Sequence, residues 1–237
     1  MNGRNKFSLT LLALAFASLT TSALTTDKLV GIVLKSTEDV WTAEFNKWGK
    51  TYIMPKLVLY SGSIPTGCGV GKKQMGPFYC PSDSKLYLDP TFYDELATKF
   101  GAPGDMAQAF VIAHEVGHHI QNVTGIMRQF REAQMQASDE VIQNQIQVRA
   151  ELHADCLAGM WARIANRTKK FIEPGDMGEV LNAANKIGDD NLQKMQGMKV
   201  NPAMFTHGSG EDRRRWFTRG YLSGDFGVCM KVFSSKE

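Results

Sequence analysis

The sequence predicts an α+β fold, predominantly helical, with a small β-sheet or hairpin on one side. Three observations carry this. Between about residues 138 and 166, Val141, Ile142, Ile146, Leu152, Cys156, Met160, Trp161 and Ile164 recur mostly at three- and four-residue steps, the period of one long helix. A second helical run over 106–122 contains the string FVIAHEVGHHIQ. Short runs rich in Leu, Val, Tyr and Phe, at 56–60, 78–80 and 85–88, are bounded by turn residues and read as strands.

The chain has 237 residues, 43% hydrophobic and 22% charged, enough to bury a core in one domain. Arg4 and Lys6 precede an apolar run over 7–19 and then Thr20-Thr21-Ser22-Ala23, which reads as a signal peptide over 1–23. Extended to Leu24, residues 7–24 could instead serve as an uncleaved membrane anchor. Either way, residues 24–237 are expected as a single domain facing an exported compartment, periplasmic or extracellular. Export permits disulfides, and four cysteines allow three pairings. A glycine-rich loop between Cys68 and Cys80 favours a local bridge, leaving Cys156 and Cys229 to tie the long helix to the C-terminal tail. The rival reading is a thiolate zinc site, which no C-x-x-C spacing supports.

Taken in order, Ser36-Thr37-Glu38-Asp39 looks like a helix start ahead of the stripe Val40, Trp41, Phe45 and Trp48. Residues 56–60 form a strand, and 78–80 with 85–88 form a hairpin about Pro81-Ser82-Asp83-Ser84. The 85–88 strand lies shortly before the 106–122 helix, where an edge strand could pair with an extended peptide. Pro90 opens a short helix to about Lys99, Pro103-Gly104 breaks it, and Asp105 is expected to cap the next. A helix over 177–186 follows Pro174-Gly175, and a last one starts at Ser209. Asp189 and Asp190 are expected to cap a turn rather than bind calcium. Arg213-Arg214-Arg215 beside Trp216 is expected to be a solvated face, and with a net charge of +3 it argues against nucleic acid.

The chemistry lies in H-E-x-x-H. Residues four apart share one helix face, so His114 and His118 can offer two imidazole nitrogens to one ion. Zinc accepts such nitrogens, with Glu115 as the general base toward a metal-activated water. Gly117 lets another chain approach the helix closely. A third ligand is needed; His153 and His207 are possible, but Glu151 is better placed. Glu151 and Asp155 stand one turn apart on a face of small apolar residues, where unpaired carboxylates would be expensive to bury. A metal for Glu151 and an imidazole N–H for Asp155 would satisfy both. The alternative is a pair of salt bridges to Arg149 or Arg163. His119 and His153 point away from these faces and read as packing residues.

A-H-E-V-G-H-H-I-Q-N over 113–122 and R-A-E-L-H-A-D-C-L-A-G over 149–159 resemble the bacterial putative neutral zinc metallopeptidase family. The likeness extends to G-P-F-Y-C-P (76–81), L-Y-L-D (86–89), I-G-D-D (187–190), F-T-H-G-S (205–209) and R-W-F (215–217), and so covers about 56–229. The downstream Glu-x-x-x-Asp also resembles the wider gluzincin group. The resemblance implies a zincin-like metallopeptidase domain with Zn2+ held by His114, His118 and Glu151, Glu115 as base and Asp155 behind a ligand. It also suggests His207 as the oxyanion donor, although the local context of His207 indicates only a turn histidine or cap. The expected activity is hydrolysis of peptide or protein substrates by an exported zinc metallopeptidase. The alternatives are a non-catalytic metal-stabilised binding protein, against which the intact Glu115 counts, and a cell-wall peptide amidase.

Overall fold

A computed structural model describes residues 26–234, so the expected signal peptide over 1–23 lies outside the described residues. The first helix, α1 (Thr26–Lys47), begins earlier than the Ser36-Thr37 signal suggested. Those hydroxyls are buried within the helix instead of capping it. Trp161 Nε1 donates to Ser36 Oγ at 3.1 Å, and Thr37 Oγ1 donates to the Leu34 carbonyl at 2.8 Å. Leu29, Val30 and Val33 carry the apolar stripe back toward the start.

The strands are β1 (Lys56–Leu59), β2 (Ser63–Thr66), β3 (Gly69–Lys72), β4 (Phe78–Cys80) and β5 (Lys85–Leu88). β4 and β5 pair antiparallel, Phe78 opposite Tyr87, as the hairpin reading expected. The expectation that residues 85–88 lie at an edge is corrected: β1 pairs parallel to β5, giving the order β1-β5-β4. Leu86, Tyr87 and Leu88 are all buried, as an inner strand requires, and β4 is an outer strand. The glycine-rich segment read as loop forms a separate β2–β3 hairpin, bridged to β4 through Cys68–Cys80. Its glycines and proline gave no strand signal.

The helices that follow are α2 (Thr91–Thr98), α3 (Asp105–Val123), α4 (Ile126–Gln136), α5 (Glu140–Lys169), α6 (Asp176–Lys186), α7 (Asp189–Met195), α8 (Gly210–Ser223) and α9 (Phe226–Cys229). Asp105 is the first residue of α3 rather than its cap, and Glu179 of α6 accepts the Met106 N–H of its first turn at 3.2 Å. α4 went unread because only Ile126 and Phe130 of this largely polar helix are buried. The result is the predominantly helical α+β architecture the periodicity indicated. No helix among the described residues is long and apolar enough to cross a membrane. Both favoured disulfides, Cys68–Cys80 and Cys156–Cys229, are formed, which suits an oxidising compartment.

α3, α5 and α8 meet at their smallest residues. A Cβ on Gly117 would lie 3.0 Å from the Cα and carbonyl oxygen of Ala154, so α3 and α5 touch beside H-E-x-x-H. A Cβ on Gly220 would lie 1.9 Å from the Cys156 carbonyl oxygen, so α5 and α8 are closer still. Gly220→Val should therefore cost about 3 kcal/mol by overpacking, read as a lower urea midpoint at unchanged m-value. An unchanged midpoint would mean that the two helices do not cross there.

Candidate active site

α3 supplies His114, Glu115 and His118, while α5 supplies Glu151 and Asp155. Their facing surfaces bring His114 Nε2 to 3.1 Å from Glu151 Oε2 and 3.1 Å from His118 Nε2. His118 Nε2 is 3.4 Å from the same carboxylate oxygen. One ligand atom from each residue thus falls within 4.8 Å of the others, a group that could hold a metal ion. Two imidazole nitrogens and a carboxylate oxygen suit zinc in a site with a position left for water.

Behind these atoms stands an outer set. Asp155 Oδ1 lies 2.8 Å from His114 Nδ1, the pairing the sequence suggested. Neither Arg149 nor Arg163 balances that carboxylate. Arg213 of α8 does, reaching Asp155 through Nε and Nη2 at 2.9 Å each. Arg213 is only 3% exposed, so the expectation of a solvated Arg213–Arg215 face fails at its first member. A signal was present: Arg213, Trp216, Phe217 and Gly220 fall at helical spacing and form the buried face of α8.

Gln121 belongs to the same outer set, although no sequence motif marks it. Its Nε2 donates to the Ala150 carbonyl at 2.6 Å, which turns Oε1 toward His118 Nδ1 at 2.9 Å. Oε1 can only accept, so His118 carries a proton on Nδ1 and turns Nε2 toward His114 and Glu151. Three-residue spacing from His118 on a helix was the available clue.

The charges are arranged to attract a cation. Burial alone would push Glu151 up, but the His118 and His114 contacts hold it well below the usual carboxylate range. Burial opposes protonation of His114, yet the charge and hydrogen bond of Asp155 push it up to about 10. Burial raises the Glu115 carboxyl above its ordinary value, an effect the two histidines partly offset. His119 packs in the core as expected, with Nδ1 3.0 Å from the Tyr79 hydroxyl and Nε2 donating to the Ile53 carbonyl at 2.8 Å. His153 is fully buried, and burial lowers it to about 3.

His207 lies on the loop between α7 and α8, lining the same cleft as His114, Glu115, His118 and Glu151. Asp189 organises that loop: its Oδ2 accepts the N–H groups of Thr206, His207 and Gly208 at 2.7, 2.6 and 2.9 Å. Asp190 accepts from Gly210 N at 2.8 Å. Asp189 therefore caps backbone of the loop before α8, and Asp190 caps the first N–H of α8 itself. Burial works against ionisation of Asp189, but the His207 and backbone contacts hold it below its ordinary value. Its stabilisation is thus present above the unfolded carboxyl value, about 3.9, and is lost as pH falls through the lower folded one. Asp189→Asn should cost about 2 kcal/mol at pH 7, and its deficit against wild type should shrink toward pH 3. A pH-independent deficit in urea melts would contradict this account.

A largely buried His-His-Glu group that could hold a metal, on an α+β fold rich in helix, is what a zinc metallopeptidase requires. The chain is a member of the family described as putative neutral zinc metallopeptidase, which matches residues 15–232 and so reaches beyond the motifs legible in the sequence. It is 48% identical over 202 residues to the uncharacterized protein YpfJ of Escherichia coli (strain K12), covering 85% of this chain and 70% of that protein. It is 39% identical over 196 residues to the uncharacterized protein Rv2575 of Mycobacterium tuberculosis (strain ATCC 25618 / H37Rv), covering 78% of this chain and 64% of that protein. No solved structure matches the chain.

Proposed function

We propose that the protein is an exported zinc endopeptidase that hydrolyses peptide bonds, with His114, His118 and Glu151 holding the ion. The convergence of these three side chains, each ligand atom within 4.8 Å of the others, is the observation that carries the reading. Zinc bound there supplies Lewis acidity toward a water and toward the scissile carbonyl. Glu115, buried and raised by that burial, accepts the water's proton and returns it to the departing amine. His207 is half exposed at the cleft; against partial desolvation, Asp189 and the Glu151 charge hold it above its ordinary value, which suits a donor to the developing oxyanion. Asp155, fixed by Arg213, and Gln121 orient the two histidines.

The cleft, about 620 Å³, is lined on one side by Phe78 and Tyr79 of β4. β4 is the outer strand of its sheet, and an extended peptide would pair along this edge, where the Tyr79 backbone meets the Glu115 carboxylate. Two disulfides support the exported compartment, with residues 1–23 as the leader or 7–24 as an anchor. The test is zinc content and casein cleavage of the purified protein before and after chelation. One zinc per chain and activity restored by zinc are expected. Zinc binding with no cleavage of casein or of any member of a peptide library would instead indicate the non-catalytic binding protein.

A further inference from the structure

We propose that Arg131 reads an acidic residue of the polypeptide substrate at the point where the catalytic cleft runs on into a second hollow; this rests on the peptidase reading. The second hollow, about 340 Å³, lies along the β2–β3 hairpin. Met75, Phe78, Tyr79, Pro81 and Arg131 border both cavities, so the two are contiguous along β4. The hollow is a built feature. A Cβ on Gly71 would lie 2.5 Å from the Phe78 ring, so β3 lies directly on that ring. The Cys68–Cys80 bridge holds the hairpin in place. An extended chain leaving the site along β4 therefore has a continuous path over an apolar floor.

The cations along this path differ in what balances them. Arg213 is spent on Asp155, and Lys99 pairs with Glu95 at 3.9 Å. Lys73 shares the field of Asp89. Arg131 is exposed, and its polar contact is Nη2 to Met127 Sδ at 3.8 Å. Among the described residues no carboxylate pairs with it. Met75 and Val70, 60% and 62% exposed, flank it with apolar surface. A planar guanidinium in such surroundings suits a carboxylate, which it can grip through two parallel hydrogen bonds. The substrate supplies that carboxylate, as an Asp or Glu some residues away from the scissile bond.

The test uses the zinc-loaded full chain and fluorogenic peptides in which each position flanking the cleaved bond carries Asp, Ala or Lys in turn. Wild type should show a preference for Asp over Ala of about tenfold in kcat/KM at one position on one side of the bond. That ratio should collapse toward one in Arg131→Ala and reverse in favour of Lys in Arg131→Glu. Raising salt from 0.05 to 0.5 M should weaken the wild-type preference, because screening acts on exposed pairs. If all three proteins cleave with the same profile, Arg131 does not read the substrate and the peptidase reading stands. If wild type holds zinc and cleaves no peptide, both are overturned.

Discussion

Glu115→Gln is expected to keep the zinc and lose hydrolysis by about 10³-fold or more in kcat, the upper part of what a positioned base contributes. The amide has nearly the shape of the carboxylate but cannot take a proton from water. The three residues proposed as ligands are untouched: His114 is held from behind by Asp155 and Arg213, His118 by Gln121 and Glu151 by Gln147, none of them by Glu115. The amide also removes a buried charge, so folding should not suffer. His207→Ala, which removes an oxyanion donor and no base, should fall by about 10²-fold with zinc again retained. The check is zinc per chain by atomic emission beside initial rates on casein. Full activity in Glu115→Gln would exclude it as the base.

Glu151→Gln should lose the metal as well as the activity. The neutral amide oxygen is a poor replacement for a carboxylate in a buried site, and zinc affinity should drop by more than about 100-fold, beyond the effect of losing an outer partner. The same residues give metal binding a defined pH dependence. Without metal, His114 is pushed up to about 10 despite burial, chiefly by Asp155. Because that folded value lies above the unfolded one, protonated His114 stabilises the metal-free protein at low and neutral pH. This contribution fades as pH rises through about 10. Zinc must displace that proton, so its apparent affinity should rise about tenfold per pH unit across the neutral range. Asp155→Asn should flatten the slope and weaken binding together. Competition with a chromogenic chelator between pH 6 and 9 measures both. A slope of zero in wild type would mean that His114 binds no proton for zinc to displace.

Local rules reached much of the site. The four-residue step of His114 and His118 is a property of any α-helix. The cost of burying Glu151 and Asp155 unpaired points both of them at partners from residue spacing alone. The closeness of Cys68 and Cys80 along the chain selected one disulfide, and an even count gave the other. The misreadings share a cause. Ser36-Thr37 carries the local signature of a helix start, but Trp161, distant in sequence, supplies the partner that lets Ser36 lie inside α1. α4 is largely polar in composition, yet Ile126 and Phe130 stand one turn apart and mark its buried face, a short signal that its polar remainder obscures.

What the sequence determined by itself was a candidate donor set: which side chains share a helix face, and which carboxylates needed a positive partner. What only the tertiary structure decided was who that partner is and which strand is left open. Arg213 lies 58 residues from Asp155 and reaches it because α5 and α8 approach closely at glycines. β1 covers one side of β5 and leaves β4 as an outer strand bordering the cleft. Residue spacing is set within one helical turn, whereas strand order and ion-pair choice follow from how separate elements pack, which no local pattern encodes.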